Sequence, residues 1–581
     1  MRIAVIDRDL CKPKKCSLEC QKVCPINRAG ERCCWVEDKA RIDESLCVGC
    51  GLCVKKCPFK AISVVNTPEQ LKETPVHRYE NNGFALFRLP FPVYGKVTGI
   101  VGANGTGKSS AMKILSGELK PNFAGKEMDL VKAFRGSEIQ NYLERLVAAK
   151  IKAVRKPQNV EEFSKYDVTV KEILLKADER HKYEKIIHAL NLKNILDRKL
   201  SNLSGGELQR VIIAISIIRD ADIYFFDEPT SFLDVSQRFA AAKAIRSLAN
   251  EDNGKHAVLV VDHDLAVLDM VADFVHVTFG APSVYGIFSR PYTARVGINN
   301  YIEGFLKNEN IRFRAEPLKF HAARAEKKEK EIYLSWSELS KSYPGFSLTV
   351  SEGCLYKKQV IGILGENGTG KTTFAKMLAG IEKPDSGSIS CPKTISYKSQ
   401  YLSQDEDITV AEVLKKVTNI NSDTWKIDIA APLELERLYE KNIRELSGGE
   451  LQRVAVAVCL SRAADVYLLD EPSAFLDVEQ RIALAKLLRK FADTKDCAIL
   501  VIDHDLLFLS YLADSCILFS GTPSISAHAE LYRLEEGFNK FLSSLGVTFR
   551  RDEDTGRPRA NKPDSQLDIE QKKSGKFWMN L

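Results

Sequence analysis

Apolar residues in this sequence come in short bursts. No uninterrupted run approaches the roughly 18 residues of a membrane-spanning helix. The densest, residues 211–218, holds one serine and reads as a buried helix. Other runs read as strands: Val97-Thr98-Gly99-Ile100-Val101, Ile223-Tyr224-Phe225-Phe226 and Val260-Val261. Each has a counterpart downstream: Val360-Ile361-Gly362-Ile363-Leu364, Val466-Tyr467-Leu468-Leu469 and Val501-Ile502. The pattern thus repeats with a period of about 250 residues, the signature of a duplicated α/β domain. With 581 residues, at roughly 100–200 residues per domain, three or four domains are expected.

The residues after each apolar run carry the chemistry. Gly102-Ala103-Asn104-Gly105-Thr106-Gly107-Lys108-Ser109-Ser110 follows the first strand and opens a helix. Gly365-Glu366-Asn367-Gly368-Thr369-Gly370-Lys371-Thr372-Thr373 does the same in the second half. This is the context of a phosphate-binding loop. Its glycines turn backbone N–H groups inward, and the helix N-terminus adds its dipole. Lys108 and Lys371 reach the β/γ-phosphates, and Ser109 and Thr372 offer a hydroxyl to Mg²⁺. Downstream, Ser204-Gly205-Gly206-Glu207 recurs as Ser447-Gly448-Gly449-Glu450, which alone reads as a helix cap. Two strands end in paired carboxylates, Asp227-Glu228 and Asp470-Glu471. The aspartates suit Mg²⁺ and the glutamates suit polarising an attacking water. His263 and His504 follow the next strands and can hydrogen-bond a γ-phosphate. Aromatics upstream of each loop, Tyr79 and Phe84, then Tyr343 and Phe346, are candidates to stack on adenine.

The order and spacing of these motifs resemble the nucleotide-binding domains of the ATP-binding-cassette superfamily. The resemblance implies two ATP molecules sandwiched head to tail. One site would pair Lys108, Gln158, Asp227, Glu228 and His263 with Ser447 and Gly449. The other would pair Lys371, Gln400, Asp470, Glu471 and His504 with Ser204 and Gly206. Gln158 and Gln400 would join Ser109 and Thr372 at Mg²⁺. The halves differ in one spacing: 50 residues separate Lys108 from Gln158, and 29 separate Lys371 from Gln400. The excess falls within residues 126–156, which read as helix, glycine break, helix.

Composition changes the picture at one end of the chain. Hydrophobic content of 44% and charged content of 28% exclude a mainly disordered or collagen-like chain. A net charge of +7 permits a nucleic-acid partner without requiring one. Ten of the 15 cysteines, however, fall between Cys11 and Cys57. With no signal peptide at the start, a reducing, cytoplasmic setting is expected, where such a head binds metal. Cys47-x2-Cys50-x2-Cys53-x3-Cys57-Pro58 is the bacterial-ferredoxin run for a [4Fe–4S] cluster, and Cys11-x4-Cys16-x3-Cys20-x3-Cys24-Pro25 is a looser version. In two-cluster ferredoxins the fourth cysteine of each run ligates the other cluster. That predicts Cys11, Cys16, Cys20 and Cys57 on one cluster, and Cys24, Cys47, Cys50 and Cys53 on the second. Zinc is the alternative for Cys-x2-Cys pairs. Cys33 and Cys34 read as small hydrophobic residues.

The ferredoxin head, twin cassettes, first-cassette insertion and arginine-rich hinge segments together resemble ABC subfamily E, the RNase L inhibitor or ribosome-recycling ATPase family. The fold class expected is α/β: two tandem P-loop cassettes behind a ferredoxin-like α+β domain. The boundaries are 1–72 for the head, 73–285 and 331–528 for the cassettes, and 286–330 and 529–581 for the hinges. The resemblance implies two [4Fe–4S] clusters, ATP and Mg²⁺. It implies a cytoplasmic ATPase, also nuclear in a eukaryote, that splits ribosomes and stays on the small subunit until hydrolysis. Its partners would be the ribosome, a peptide-release or Pelota-like rescue factor, and initiation factors, with the chain acting as a monomer away from membranes. Ser399 stands where the family has proline. The rival readings are a transporter ATPase, an ATP-gated iron–sulfur redox protein and an iron–sulfur assembly ATPase.

Overall fold

The structure is a computed structural model. It describes residues 2–6, 10–43, 46–66, 74–79, 83–125, 129–314, 316–318, 331–391, 393–399 and 407–579. Gln400, residues 126–128 of the insertion and residues 319–330 of the first hinge lie outside them.

Each half folds around one sheet with the same strand order. In the first, Val97–Gly102 is flanked by Phe274–Ala281 and Ala257–Val261, followed outward by Ile223–Asp227 and Ala153–Lys156. These strands run parallel. In the second, Val360–Leu364 lies between Ser515–Thr522 and Ala498–Ile502, with Val466–Asp470 and Ile395–Lys398 beyond. The central strands are buried along their whole length. Helices cover both faces of such parallel strands, which is why they read as unbroken apolar runs. The run at 211–218 is the inner part of the helix Gly205–Ile218. Phosphate loops, paired carboxylates and histidines all follow the carboxyl ends of these strands, the usual binding edge of an open α/β sheet.

Two boundaries differ from the sequence reading. Tyr285–Phe288 is a strand of the first cassette's sheet, paired with Phe274–Ala281 and Ala85–Phe87. Ser526–Arg533 likewise completes the second sheet. Both runs read partly as hinge from sequence, because an aromatic or mixed segment gives no clue to its pairing partner. The insertion holds helices Leu130–Ala133 and Gln140–Val147 around Gly136, whose φ is 77°.

In the head, Arg2–Ile6 and Ile62–Asn66 pair antiparallel. Helices Glu19–Val23 and Leu52–Lys56 follow the cysteine loops, and a hairpin, Cys34–Val36 with Ala40–Ile42, lies between the runs. The head rests on the second cassette: Lys12 Nζ donates to the Glu440 carbonyl at 3.1 Å, and Lys60 faces Glu436 at 3.6 Å.

The hinges cross over. The C-terminal segment follows the second cassette yet is pinned to the first. Arg557 and Asp269 are 0% exposed and paired, with Arg557 Nη2 to Asp269 Oδ1 at 3.0 Å. Arg559 Nε reaches the same oxygen at 3.1 Å, and Arg557 Nε donates to Asn299 in helix Ala294–Glu303 at 3.3 Å. Asn299 and Arg295 in turn bind Asp552 at 2.9 and 3.1 Å. The first hinge reaches the other way, with Tyr301 and Arg314 on Glu479 of the second cassette.

Removing one partner of a buried ion pair leaves the other charged and unsolvated. Asp269→Ala is therefore expected to destabilise the first cassette by about 3–5 kcal/mol. Urea unfolding with a probe in that cassette measures it, and a loss under about 1 kcal/mol contradicts the assignment.

Candidate nucleotide sites and cysteine centre

Both phosphate loops depend on left-handed glycines. Gly105 and Gly107 have φ of 75° and 88°, and Gly368 and Gly370 have 77° and 89°. Thr106 and Thr369 lock each turn through a 2.8 Å bond to the carbonyl three residues back. Lys108 is buried, and its Nζ donates to Gly102 O and Ala103 O at 2.8 Å. Lys371 does the same to Gly365 O and Glu366 O at 2.9 and 2.7 Å. Burial pushes both ammonium groups down, Lys371 to about 8. An anion in the loop would relieve that penalty.

The carboxylate strands end beside these lysines. Thr372 Oγ1 donates to Asp470 Oδ2 at 2.9 Å. Burial raises Asp470 to about 6 and raises Asp227 as well. Asp227 Oδ2 and Asp470 Oδ1 are buried without a hydrogen-bond partner. An unsatisfied buried carboxylate oxygen beside a hydroxyl is a donor set that fits a hard cation such as Mg²⁺. Glu228 and Glu471 follow with left-handed backbones, φ 46° and 48°. Gln158 Nε2 donates to Glu228 Oε1 at 2.8 Å. His263 Nε2 lies 3.9 Å from Glu228, and His504 Nε2 lies 3.5 Å from Glu471. Burial and the nearby Lys108 hold the His263 ring well below the usual imidazole range, so it is neutral at pH 7.

Ser204 and Ser447 cap the helices Gly205–Ile218 and Gly448–Ser461 through capping boxes with Glu207 and Glu450. The glycines beside them are needed for packing. A Cβ on Gly206 would meet the Phe232 carbonyl at 2.8 Å, and one on Gly449 would meet that of Phe475 at 2.8 Å.

Phe232 and Phe475 also meet each other, ring centroids 5.5 Å apart, and join the two cassettes. The next aspartates complete the crossing. Asp234 caps its own helix, accepting from Gln237 N–H at 2.9 Å, while its other oxygen accepts from Asn367 N–H across the interface at 2.8 Å. Asp477 repeats this with Gln480 at 2.9 Å and Asn104 at 3.2 Å. Each phosphate loop is thus held by the opposite cassette. Arg238 adds a 3.2 Å bond to the His504 carbonyl.

Sequence reasoning missed Lys156 and Lys398 as site residues. These lysines are buried under the carboxylate strands, donating to Asp227 O at 3.0 Å and Asp470 O at 2.8 Å. Burial pushes both down to about 8. The available signal was a lysine two residues before each glutamine, in both halves. Tyr79 and Tyr343 are each 39% exposed. Tyr79 Oη bonds Ser110 at 3.0 Å. Phe84, in contrast, packs its ring edge under Gly107, where a Cβ would lie 2.7 Å away.

The head contains two cavities. One is lined by Cys11, Cys16, Cys20 and Cys57. The other is lined by Cys24, Cys47, Cys50 and Cys53. The fourth cysteine of each run stands with the other run's three. Cys33 and Cys34 are buried and line the second cavity. Asn27 Oδ1 fixes their backbone, accepting from both N–H groups at 2.9 and 2.8 Å. Four thiols around an open cavity form the donor set that an iron–sulfur cube takes.

The ABC transporter family matches residues 93–231 and 348–474, a possible Fer4-like domain in RNase L inhibitor matches 1–32, and the 4Fe-4S binding domain matches 40–63. An uncharacterized ABC transporter ATP-binding protein of Methanocaldococcus jannaschii is 51% identical, aligned over 100% of this chain and 97% of its own length. The translation initiation factor RLI1 of Saccharomyces cerevisiae is 43% identical over 99% of this chain and 98% of its own. A solved assembly described as a model of ribosome-bound archaeal Pelota and ABCE1 contains a chain with TM-score 0.94. It is 49% identical and covers 100% of this chain and 99% of that one. Among the described residues, no helix is long and apolar enough to cross a membrane.

Asp477→Ala removes a helix cap, which costs about 1 kcal/mol, and leaves the Asn104 N–H without its partner across the interface. Steady-state ATP hydrolysis is expected to fall at least about tenfold, a 1.4 kcal/mol effect, with the chain still folded by circular dichroism. Unchanged hydrolysis counts against the cross-interface contact.

Proposed function

This chain belongs to ABC subfamily E, the RNase L inhibitor family, and on that premise we propose that it splits ribosomes into subunits after termination or stalling by closing its two cassettes around ATP. It is an ABC-type ATPase with a 4Fe-4S head. It works on the ribosome beside a peptide-release or Pelota-like rescue factor, and remains on the small subunit until hydrolysis. Its place is the cytoplasm.

The roles of the residues follow from the sites. Gly102 to Ser110 cradle one set of phosphates and Gly365 to Thr373 the other, with Lys108 and Lys371 on the β/γ-phosphates. Ser109, Asp227 and Gln158 would hold one Mg²⁺, and Thr372, Asp470 and Gln400 the other. The ion would neutralise charge on the phosphates. Glu228 and Glu471 polarise the attacking water. His263, its ring neutral, and His504 donate toward the γ-phosphate. Ser447 and Gly449 complete the first site, and Ser204 and Gly206 the second. Tyr79 offers its face to adenine while Phe84 supports the loop beneath. Cys11, Cys16, Cys20 and Cys57 would hold one cluster, and Cys24, Cys47, Cys50 and Cys53 the other. Both would staple the head rigid.

The seat of the head carries this reading. Lys12 and Lys60 rest on Glu440 and Glu436. The adjoining Lys441 binds Glu450, at the start of the second cassette's Ser-Gly-Gly helix, at 3.1 Å. Closure that brings this helix onto ATP moves the surface under the head. Nucleotide state thereby becomes head position, a two-state coupling of the kind a splitting lever requires.

Two experiments test it. Removing a general base slows chemistry by about 10²–10⁴-fold, so Glu228→Gln or Glu471→Gln should slow hydrolysis at its own site and prolong ATP-dependent cosedimentation with small subunits. Cosedimentation indifferent to ATP and to both substitutions would overturn the function. Cys53→Ser is expected to lose roughly half the protein's iron, since one of two clusters goes, and to abolish splitting while ATP binding persists. Splitting that survives with half the iron would detach the head from the mechanism.

A further inference from the structure

The loops that carry Glu228 and Glu471 are near copies. Beyond their matching left-handed backbones, Glu228 N–H bonds Val261 O at 2.9 Å and Glu471 N–H bonds Ile502 O at 2.8 Å. A buried lysine supports each from below. Thr230 binds Asp262, and Ser473 binds Asp503, both at 2.8 Å. Residues 231 and 474 each send an N–H back to the glutamate carbonyl at 3.4 Å. The backbone frame is therefore held constant between the two sites.

The side chain at that last position is not constant. Ser231 Oγ donates to Glu228 Oε2 at 3.2 Å. Its counterpart is Ala474, which has no hydroxyl. In the first site Gln158 holds Oε1 and Ser231 holds Oε2. With a donor on each oxygen, the carboxylate plane is fixed. The terminal torsion of a glutamate is otherwise broad, and a general base must be aligned with the proton it takes.

We infer that Ser231 is a positioning residue for the base Glu228, fixing its carboxylate plane together with Gln158. The inference rests on Glu228 and Glu471 being the bases, and the glutamate substitutions test that separately.

The test is single-turnover hydrolysis by rapid quench, using the full chain with Mg²⁺ and ATP. Glu471→Gln isolates the first site and Glu228→Gln the second. In the Glu471→Gln background, Ser231→Ala should slow the first site about threefold to tenfold, the effect of one hydrogen bond to a charged group. ATP affinity should stay unchanged, and Ser231→Thr should restore the rate. An unaltered rate in Ser231→Ala, a parallel loss of ATP affinity, or no rescue by threonine would overturn the inference. If Glu228→Gln fails to slow the first site, it is the base assignment that falls.

Discussion

Each cassette's phosphate loop is held by a carboxylate that belongs to the other. Asp234 and Asp477 spend one oxygen on their own helix and the other on Asn367 or Asn104 across the interface. The electrostatics follow the same crossing. Burial drives Lys108 and Lys371 toward neutrality, and the largest opposing influence on each is the aspartate of the opposite cassette. A lysine poised for phosphate is thus kept charged partly by the partner domain. Neither site can be assembled alone, and any movement that separates the cassettes degrades both at once. The link between the two loops needs no long-range wire, because each aspartate bridges its own helix and the opposite loop directly.

A different kind of contact keeps the cassettes in register. The hinges bury charge: Arg557 on Asp269, with Arg559, Asn299 and Asp552 satisfying the remaining groups. A buried pair is costly to break, since each partner would be left unsolvated. Such a network suits a fixed pivot. It also ties together segments that lie on either side of the second cassette in the chain, so the C-terminus acts as part of the first cassette's scaffold.

The motifs, the strands before them and the duplication were legible from local pattern. Contacts between distant segments were not. Tyr285–Phe288 reads as hinge because a short aromatic run carries no information on which strand it will join. Lys156 and Lys398 look like interruptions of a strand, since their burial makes sense only beneath the Asp227 and Asp470 carbonyls. Asp234 and Asp477 cap their own helices, and their second oxygen has meaning only when the other cassette is in place. Cys33 and Cys34 read as filler, and they are buried, but beside proposed ligands rather than apart from them.

The strength of each contact separates what should move from what should stay. The head is joined in sequence to the first cassette, yet it is seated on the second by Lys12 and by Lys60, whose side chain is 85% exposed. Exposed ion pairs contribute about 1 kcal/mol or less and weaken with salt. The hinge network, with the Arg557–Asp269 pair at its centre fully buried, resists separation by several times that. A modest change at the ATP sites can therefore unseat the head without disturbing the pivot. Because the seat adjoins Lys441 and its bond to Glu450, this weak contact lies beside the Ser-Gly-Gly helix of the second cassette.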